Sequence, residues 1–414
     1  MTNIYGCIGE KLSHSFSKEI HNALADYEYQ IIEVKRESLE EFMLSRQFQA
    51  INVTIPYKEL VIPYLHEIDE SAKRIGAVNT IVNRGGLLYG YNTDFYGLEK
   101  LISHLGAPIA GNRVAILGTG GTSKTAKAVC TALGASQIVT VSRRSTDDSI
   151  SYDELYESYS DIDVIINTTP VGMYPNSEHA PIALERFTTL SAVIDAIYNP
   201  LRSNLVLSAR ARGIKAEGGL YMLVAQAVRA SEIFLDKKYP TETIDRIYRK
   251  IYSEKENIVL IGMPSCGKST VGALVARALM REHIDTDSLI ERTAEMKISD
   301  IFSLRGEKEF RDIEESAIRE AANHSGAVIS TGGGAILREE NIHRLKRNGR
   351  LYFIDMPLDR LTPTSDRPLA LSREAIVARH NERYPLYLEY ADCRICVKAD
   401  ADSVKEEILG EFKK

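Results

Sequence analysis

The stretch that most constrains this chain begins at Ile258. Four apolar residues, Ile258-Val259-Leu260-Ile261, read as a short buried strand. Gly262-Met-Pro-Ser265-Cys266-Gly267-Lys268-Ser269 follows, and then a helical pattern from Thr270. Strand, G-x-x-x-x-G-K-S and helix in that order make a phosphate-binding loop. Its glycines let backbone N–H groups curl around phosphates, and the helix N-terminus adds a favourable dipole. In such a loop Lys268 reaches the β- and γ-phosphates of ATP, Ser269 holds Mg²⁺, and Ser265 and Thr270 flank the phosphates. The motif opens well past the middle of the chain, so a separate folded machine is expected before it.

The length of 414 residues requires two or three domains. A net charge of −6 argues against nucleic acid as a partner, because backbone binding needs a positive face. No apolar run approaches the ~20 residues of a membrane span, and Met-Thr-Asn-Ile-Tyr-Gly is no signal peptide, so a cytoplasmic protein is expected. Five cysteines do not form a disulfide framework. Cys393-Arg-Ile-Cys396 matches C-x-x-C but lacks a second pair, and reads as a strand.

Upstream, Ile4-Tyr-Gly-Cys-Ile8 reads as a first strand. It leads into a loop rich in small hydroxyls, Ser13-His14-Ser15-Phe-Ser17, and a helix. Serines at i and i+2 can bind vicinal hydroxyls or a carboxylate, or cap the helix. Asn52-Val-Thr54-Ile-Pro56-Tyr-Lys58 ends a strand and places Lys58 at the start of a helix. Ile75-Gly-Ala-Val-Asn79-Thr80 and Tyr91-Asn92-Thr93-Asp94 are further strand-like runs ending in polar clusters. In an open α/β sheet such strand ends line the ligand crevice.

These segments, S-H-S-x-S, N-V-T-I-P-Y-K, G-A-V-N-T and N-T-D in this order, resemble the shikimate dehydrogenase family. Many of its members have proline where this chain has Lys18. The resemblance implies that Ser15 and Ser17 bind the substrate's carboxylate end. It implies that Thr54, Lys58, Asn79 and Asp94 surround the ring hydroxyls, with Lys58 and Asp94 as the catalytic pair. Hydride addition to a ketone leaves negative charge on oxygen, so a proton donor must lie within hydrogen-bond reach. An ammonium also stabilises the developing alkoxide.

Asn112–Leu117 reads as a strand, followed by Gly118-Thr-Gly120-Gly121-Thr122-Ser123 and a helix from Lys124 to Leu133. This G-x-G-x-x-S loop gains meaning from the next strand, Gln137–Ser142, whose end is where a Rossmann domain tests the adenosine ribose. The chain there has Ser142-Arg143-Arg144 rather than a carboxylate. Arginines suit a 2′-phosphate, so NADP(H) is expected over NAD(H). Asn167-Thr-Thr-Pro-Val-Gly-Met173 resembles a cofactor-side segment of the same family. By the same resemblance Ala196 and Gly219 lie near the nicotinamide, and Tyr198 and Gln226 face the substrate.

The rest of the chain resembles shikimate kinase. The residues that carry this are Asp285-Thr-Asp287, Gly306–Glu314 with Phe310-Arg311, the triplet Gly332-Gly333-Gly334, Ser365-Asp-Arg367-Pro-Leu and Glu382-Arg383-Tyr-Pro-Leu-Tyr387. Carboxylates at i and i+2 on an extended segment would point to one side. The resemblance implies that Asp287, Arg311, Gly333 and Arg383 hold shikimate, with Asp287 as general base and Asp285 near Mg²⁺. It places Arg367 in a lid, over the transferring phosphoryl group, and Arg360 over the adenine.

The expected organisation is an α/β substrate domain over 1–100, completed by returning helices at about 218–252 and interrupted by a Rossmann NADP-binding domain over 101–217. A short linker, 253–257, leads to a parallel α/β P-loop domain of the nucleoside-monophosphate-kinase type over 258–414. The expected activities are NADPH-dependent reduction of 3-dehydroshikimate and ATP·Mg²⁺-dependent phosphorylation of shikimate at its 3-hydroxyl. The alternatives are a quinate-preferring, NAD-linked first half, a second half acting on gluconate or a nucleoside monophosphate, and a metabolite sensor with inactive folds.

Overall fold

The computed structural model describes residues 4–12, 15–362 and 372–413. The chain divides into two compact units, Met1–Ile251 and Tyr252–Lys414. Their boundary falls inside the helix Thr243–Lys255, and the strand Asn257–Ile261 begins two residues later. The expected charged linker at 253–257 is therefore mostly helix and strand, because Ile244, Ile247 and Ile251 give the helix an apolar stripe that extends it.

The first unit contains two sheets. One has the strand order Tyr29–Glu33, Tyr5–Gly9, Ala50–Val53, Thr80–Arg84, Leu87–Tyr91, Glu67–Ile68. Its first three strands are parallel, and Thr80–Arg84 runs antiparallel to both neighbours. The second sheet is parallel throughout, in the order Lys215–Glu217, Ala192–Asp195, Val164–Asn167, Arg113–Leu117, Gln137–Ser142, Ile150–Ser151. Val164–Asn167 and Ala192–Asp195 are buried at every position. Continuous apolar runs of this kind belong to a parallel sheet covered on both faces. The order reverses beside Arg113–Leu117, which sits between Gln137–Ser142, the next strand of its own half, and Val164–Asn167, the first strand of the other half. That reversal is where a doubly wound sheet opens its ligand crevice. The helix Asp94–Leu105 spans the expected 100/101 boundary and packs on Leu220–Leu235, where Gly97 lets the backbone of Met222 approach closely.

The second unit is a five-stranded parallel sheet, ordered His283–Asp285, Val328–Ser330, Asn257–Ile261, Gly349–Asp355, Cys393–Cys396. Asn257–Ile261 is central and fully buried. The C-x-x-C pair lies in a strand as expected, here the sheet's edge strand, with both thiols free. Among the described residues no helix is long and apolar enough to cross a membrane.

In the first unit His21 is fully buried on the helix Ser17–Leu24. Its ring stacks on Tyr29 at 3.9 Å, and Nδ1 lies 2.5 Å from the Tyr27 hydroxyl. Burial pushes its pKa from 6.5 down to about 3. The unfolded chain therefore takes up a proton below about pH 6.5 that the folded chain refuses, and stability drains away as pH falls toward 3. A His21→Gln variant lacks this loss. Its deficit in Tm against the wild type is expected to shrink between pH 7 and pH 4.5 in thermal scans; a constant deficit would contradict the assignment.

Candidate active sites

In the first unit the ends of several strands bring the expected residues together. Lys58 Nζ donates to Asp94 Oδ2 at 2.6 Å, and the two side chains are only 15% and 11% exposed. Lys58 does not start a regular helix as expected. It lies in the turn that follows Ala50–Val53, and its carbonyl accepts from the Val78 amide at 2.8 Å. Pro56 has no N–H to give, and the next helical turn, Ile62–Tyr64, is a short 3₁₀ piece. Asp94 opens the helix Asp94–Leu105, where the N-terminal dipole favours a carboxylate.

Asn79 and Gln226 are joined through a residue that sequence reasoning passed over. Thr93 donates its N–H to Asn79 Oδ1 at 2.7 Å, and its hydroxyl lies 3.0 Å from Asn79 Nδ2 and 3.2 Å from Gln226 Oε1. Asn52 extends this network, accepting from the Tyr29 hydroxyl at 2.7 Å and donating to Thr80 Oγ1 at 3.1 Å. Both residues stood inside the quoted N-V-T and N-T-D segments, and their complete burial was the signal that sequence could not show. The Ser15 and Ser17 hydroxyls lie 3.0 Å apart, and Ser15 also accepts the Ser17 N–H at the start of the helix. Tyr198 packs on Phe16, and burial pushes its phenol up to about 12. Thr54 is held at the strand end by its N–H to Ile8.

The glycine loop of the second sheet faces this cluster. Gly118 has φ 108°, and a Cβ there would meet Thr168 Oγ1 at 2.8 Å. A Cβ on Gly120 would meet nothing within 4 Å, and one on Gly121 only Lys58 Cδ at 3.9 Å. Thr122 lies in the first turn of the helix Gly121–Ala132. These open glycines in front of a helix N-terminus form a cradle that suits a dinucleotide's pyrophosphate. The Ser142 hydroxyl donates to the Arg144 carbonyl, which ties down the turn, and Arg143 and Arg144 are both exposed there. Gly219 packs so closely that a Cβ would lie 2.2 Å from the Ala196 carbonyl. Below it, Asp195 accepts from Asn167 Nδ2, the Ile197 N–H and the Ser203 hydroxyl, which pins the loop carrying Ala196 and Tyr198.

In the second unit Gly262, Ser265 and Gly267 have φ of 150°, 66° and 90°. These left-handed or unusual conformations turn successive amides toward one concavity. Among the described residues Ser265 Oγ is buried without a hydrogen-bond partner, an orphan that a phosphate oxygen would satisfy. Lys268 Nζ donates to the carbonyls of Gly262 and Met263 at 2.9 and 2.8 Å. Ser269 and Thr270 lie in the first turn of Lys268–Leu279. The loop thus fits a nucleotide phosphate. Among the described residues no group of three or more His, Cys, Asp or Glu could hold a metal. Mg²⁺ bound by one or two side chains together with phosphate and water needs no such group.

The glycine triplet makes the neighbouring site. A Cβ on Gly332 would meet Asp287 Oδ1 at 2.6 Å, on Gly333 the Pro264 ring at 2.7 Å, and on Gly334 Arg311 Nη1 at 2.1 Å. Arg383 is buried and donates to the Gly333 carbonyl at 3.1 Å. Glu314, which carried no expected role, is buried and bonds Arg311 Nη1 at 2.7 Å. Burial raises its pKa against the pull of Arg311, with the nearby Asp287 charge adding to the rise. Its place one turn after Arg311 was the legible signal.

Asp285 and Asp287 do not share an extended segment as expected. Asp285 ends its strand and caps the helix Thr286–Ala294 by accepting the Ser288 N–H at 3.1 Å, whereas Asp287 lies in that helix's first turn. Arg360 donates to the carbonyls of Val397 and Ala399, both at 3.1 Å. Arg367 lies outside the described residues.

Comparison with known proteins agrees with this division. The model of the shikimate dehydrogenase substrate binding domain matches residues 7–81, and the shikimate kinase model matches residues 264–413. The NADP(+) shikimate dehydrogenase of Clostridium beijerinckii is 39% identical over 262 residues, spanning 59% of this chain and 96% of that protein. Shikimate dehydrogenase 1 of Peptoclostridium difficile is 36% identical and matches 60% of this chain and 98% of its own with a TM-score of 0.57. A chorismate mutase/shikimate 5-dehydrogenase fusion protein from Clostridium acetobutylicum is 37% identical, matching 61% of this chain and 97% of its own with the same TM-score. The chain belongs to the shikimate dehydrogenase family, and it carries a shikimate kinase domain in the same polypeptide.

Proposed function

We propose that the first unit reduces 3-dehydroshikimate to shikimate and that the second phosphorylates shikimate at its 3-hydroxyl, both in the cytoplasm. The observation that carries this reading is the Lys58–Asp94 pair, 2.6 Å long, with the Lys58 side chain running past the open glycine loop at Gly121. A proton donor thus stands beside a dinucleotide cradle. Bound NADPH supplies the hydride in the first unit, and bound ATP·Mg²⁺ supplies the phosphoryl group in the second.

In the first unit Ser15, Ser17 and Tyr198 hold the carboxylate end, and Thr54, Asn79 and Gln226 hold the ring hydroxyls. Lys58 Nζ gives a proton to the oxygen of the reduced ketone, and Asp94 keeps that ammonium aimed. Arg143 and Arg144 take the 2′-phosphate, with Gly118, Gly120, Gly121 and Thr122 around the pyrophosphate. In the second unit Arg311, Arg383 and Gly333 hold the acceptor's carboxylate, the planar guanidinium forks matching its two oxygens. Asp287 accepts the proton of the attacking hydroxyl. Gly262, Ser265, Gly267, Lys268 and Ser269 hold the phosphates, Ser269 and Asp285 serve the Mg²⁺ shell, and Arg360 and Arg367 complete the nucleotide site.

Lys58→Ala is expected to lower the rate of reduction by roughly 10²–10⁴-fold and leave phosphorylation intact, and Lys268→Ala to do the reverse; loss of both activities from either change in a folded protein would contradict the two-site reading. Replacing Arg143 and Arg144 with alanine should raise the KM for NADPH about ten-fold or more and leave that for NADH unchanged. An equal rise for both cofactors would remove the 2′-phosphate role. Gly334→Ala, whose methyl would collide with the Arg311 guanidinium, is expected to raise the KM for shikimate and leave that for ATP unaltered. Unchanged shikimate kinetics would show that Arg311 does not act from this position.

A further inference from the structure

The helix Arg373–Tyr390 carries a second arginine one turn before Arg383. Arg379 and Arg383 stand at i and i+4, so they share a face. Both line a cavity of about 290 Å³, together with Glu307, Leu337 and Glu382. The acids nearby are already engaged or peripheral. Glu307 lies 3.1 Å from Arg311 Nη2, and the buried Glu314 takes Arg311 Nη1. Glu382 reaches only the Nε of Arg383, at 3.9 Å. Arg379 has no carboxylate within ion-pair distance among the described residues. Among the described residues its guanidinium makes one hydrogen bond, a long one, 3.5 Å from Nη1 to the Ala375 carbonyl. Partial burial and the like charge of Arg383 lower its pKa, against the opposing pull of Glu307 and Glu382, and Arg311 adds to the fall. Among the described residues Arg383 Nε is also buried without a hydrogen-bond partner. Clustered guanidiniums with unfilled donors at the rim of a cavity form a receptor for an anion.

We propose that Arg379 is a third guanidinium of the acceptor site in the kinase unit, binding the carboxylate of the incoming acceptor together with Arg383 and Arg311. This rests on the reading that the acceptor's carboxylate lies at Arg383. Arg379 draws the carboxylate in and strengthens ground-state binding. It takes no part in phosphoryl transfer, because the described phosphate loop holds its own cation, Lys268.

The test uses the full chain with Arg379→Leu, which preserves helix propensity, alongside Arg383→Leu. The KM for shikimate in the kinase assay is expected to rise roughly ten-fold in Arg379→Leu, with kcat and the KM for ATP within two-fold of wild type. The inhibition constant of the uncharged shikimate carboxamide, measured as a competitive inhibitor, is expected to stay within two-fold, because only a charged group gains from the third guanidinium. A shikimate KM that rises less than three-fold in Arg379→Leu but strongly in Arg383→Leu overturns the role of Arg379. Unchanged KM in both variants overturns the carboxylate reading beneath it. Equal weakening of shikimate and its carboxamide assigns Arg379 to packing alone and overturns the proposal.

Discussion

Both sites depend on side chains packing against backbone that carries no Cβ. In the second unit Asp287 and Arg311, both expected to hold the acceptor, rest on Gly332 and Gly334, and the phosphate loop's Pro264 rests on Gly333 between them. In the first, Lys58 runs past Gly121, and the loop holding Ala196 lies against Gly219. Glycine is costly in an ordered segment because it gives up the most conformational freedom on folding. Here that cost gives charged groups a position within a few ångströms of a nucleotide loop, set by strands on each side of it. The Val328–Ser330 strand, which leads into the triplet, is paired directly with Asn257–Ile261, which leads into the phosphate loop. Neighbouring strands thus deliver the glycine triplet and the phosphate loop side by side.

The charges at these positions are partly or wholly removed from water, and each has a partner. Lys58 pairs with Asp94, and Arg311 pairs with Glu314. Removing one partner from a buried ion pair typically costs about 3–5 kcal/mol, because the other charge is left uncompensated. Glu314 therefore belongs to the site through Arg311, whose guanidinium it orients against Gly334. In the first unit the same holding function falls to neutral groups. Thr93 locks Asn79 and Gln226, and Asn52 and Thr80 back them. A buried network in which every member is bonded is rigid, and it fixes its hydrogen-bonding groups in one arrangement.

Much of this was legible in the sequence because the fold repeats one local grammar. A short apolar strand, a small-residue loop and a helix occur at Arg113–Ala132 and again at Asn257–Leu279, and both loops formed where the glycine spacing placed them. What the sequence hid was three-dimensional partnering. Thr93 and Glu314 lie within quoted motifs, but their importance comes from burial beside residues far away in the chain. The turn at Lys58 and the cap at Asp285 went the other way. Proline chemistry and an N-cap carboxylate overrode the simpler helical and extended readings. The charged run at 253–257 looked like a linker by composition, yet the apolar stripe before it extends the helix to Lys255.

In the proposed reaction sequence one chain makes an alcohol in its first unit and phosphorylates that alcohol in its second. The most direct measurement supplies the purified full chain with 3-dehydroshikimate, NADPH and ATP·Mg²⁺, following NADPH oxidation and ADP release in the same reaction and identifying the product by mass spectrometry. ADP release is expected to follow NADPH oxidation and to depend on it, reaching an equal final amount, with shikimate 3-phosphate accumulating. NADPH oxidation with no ADP release, or ADP release with no reduction, would contradict it.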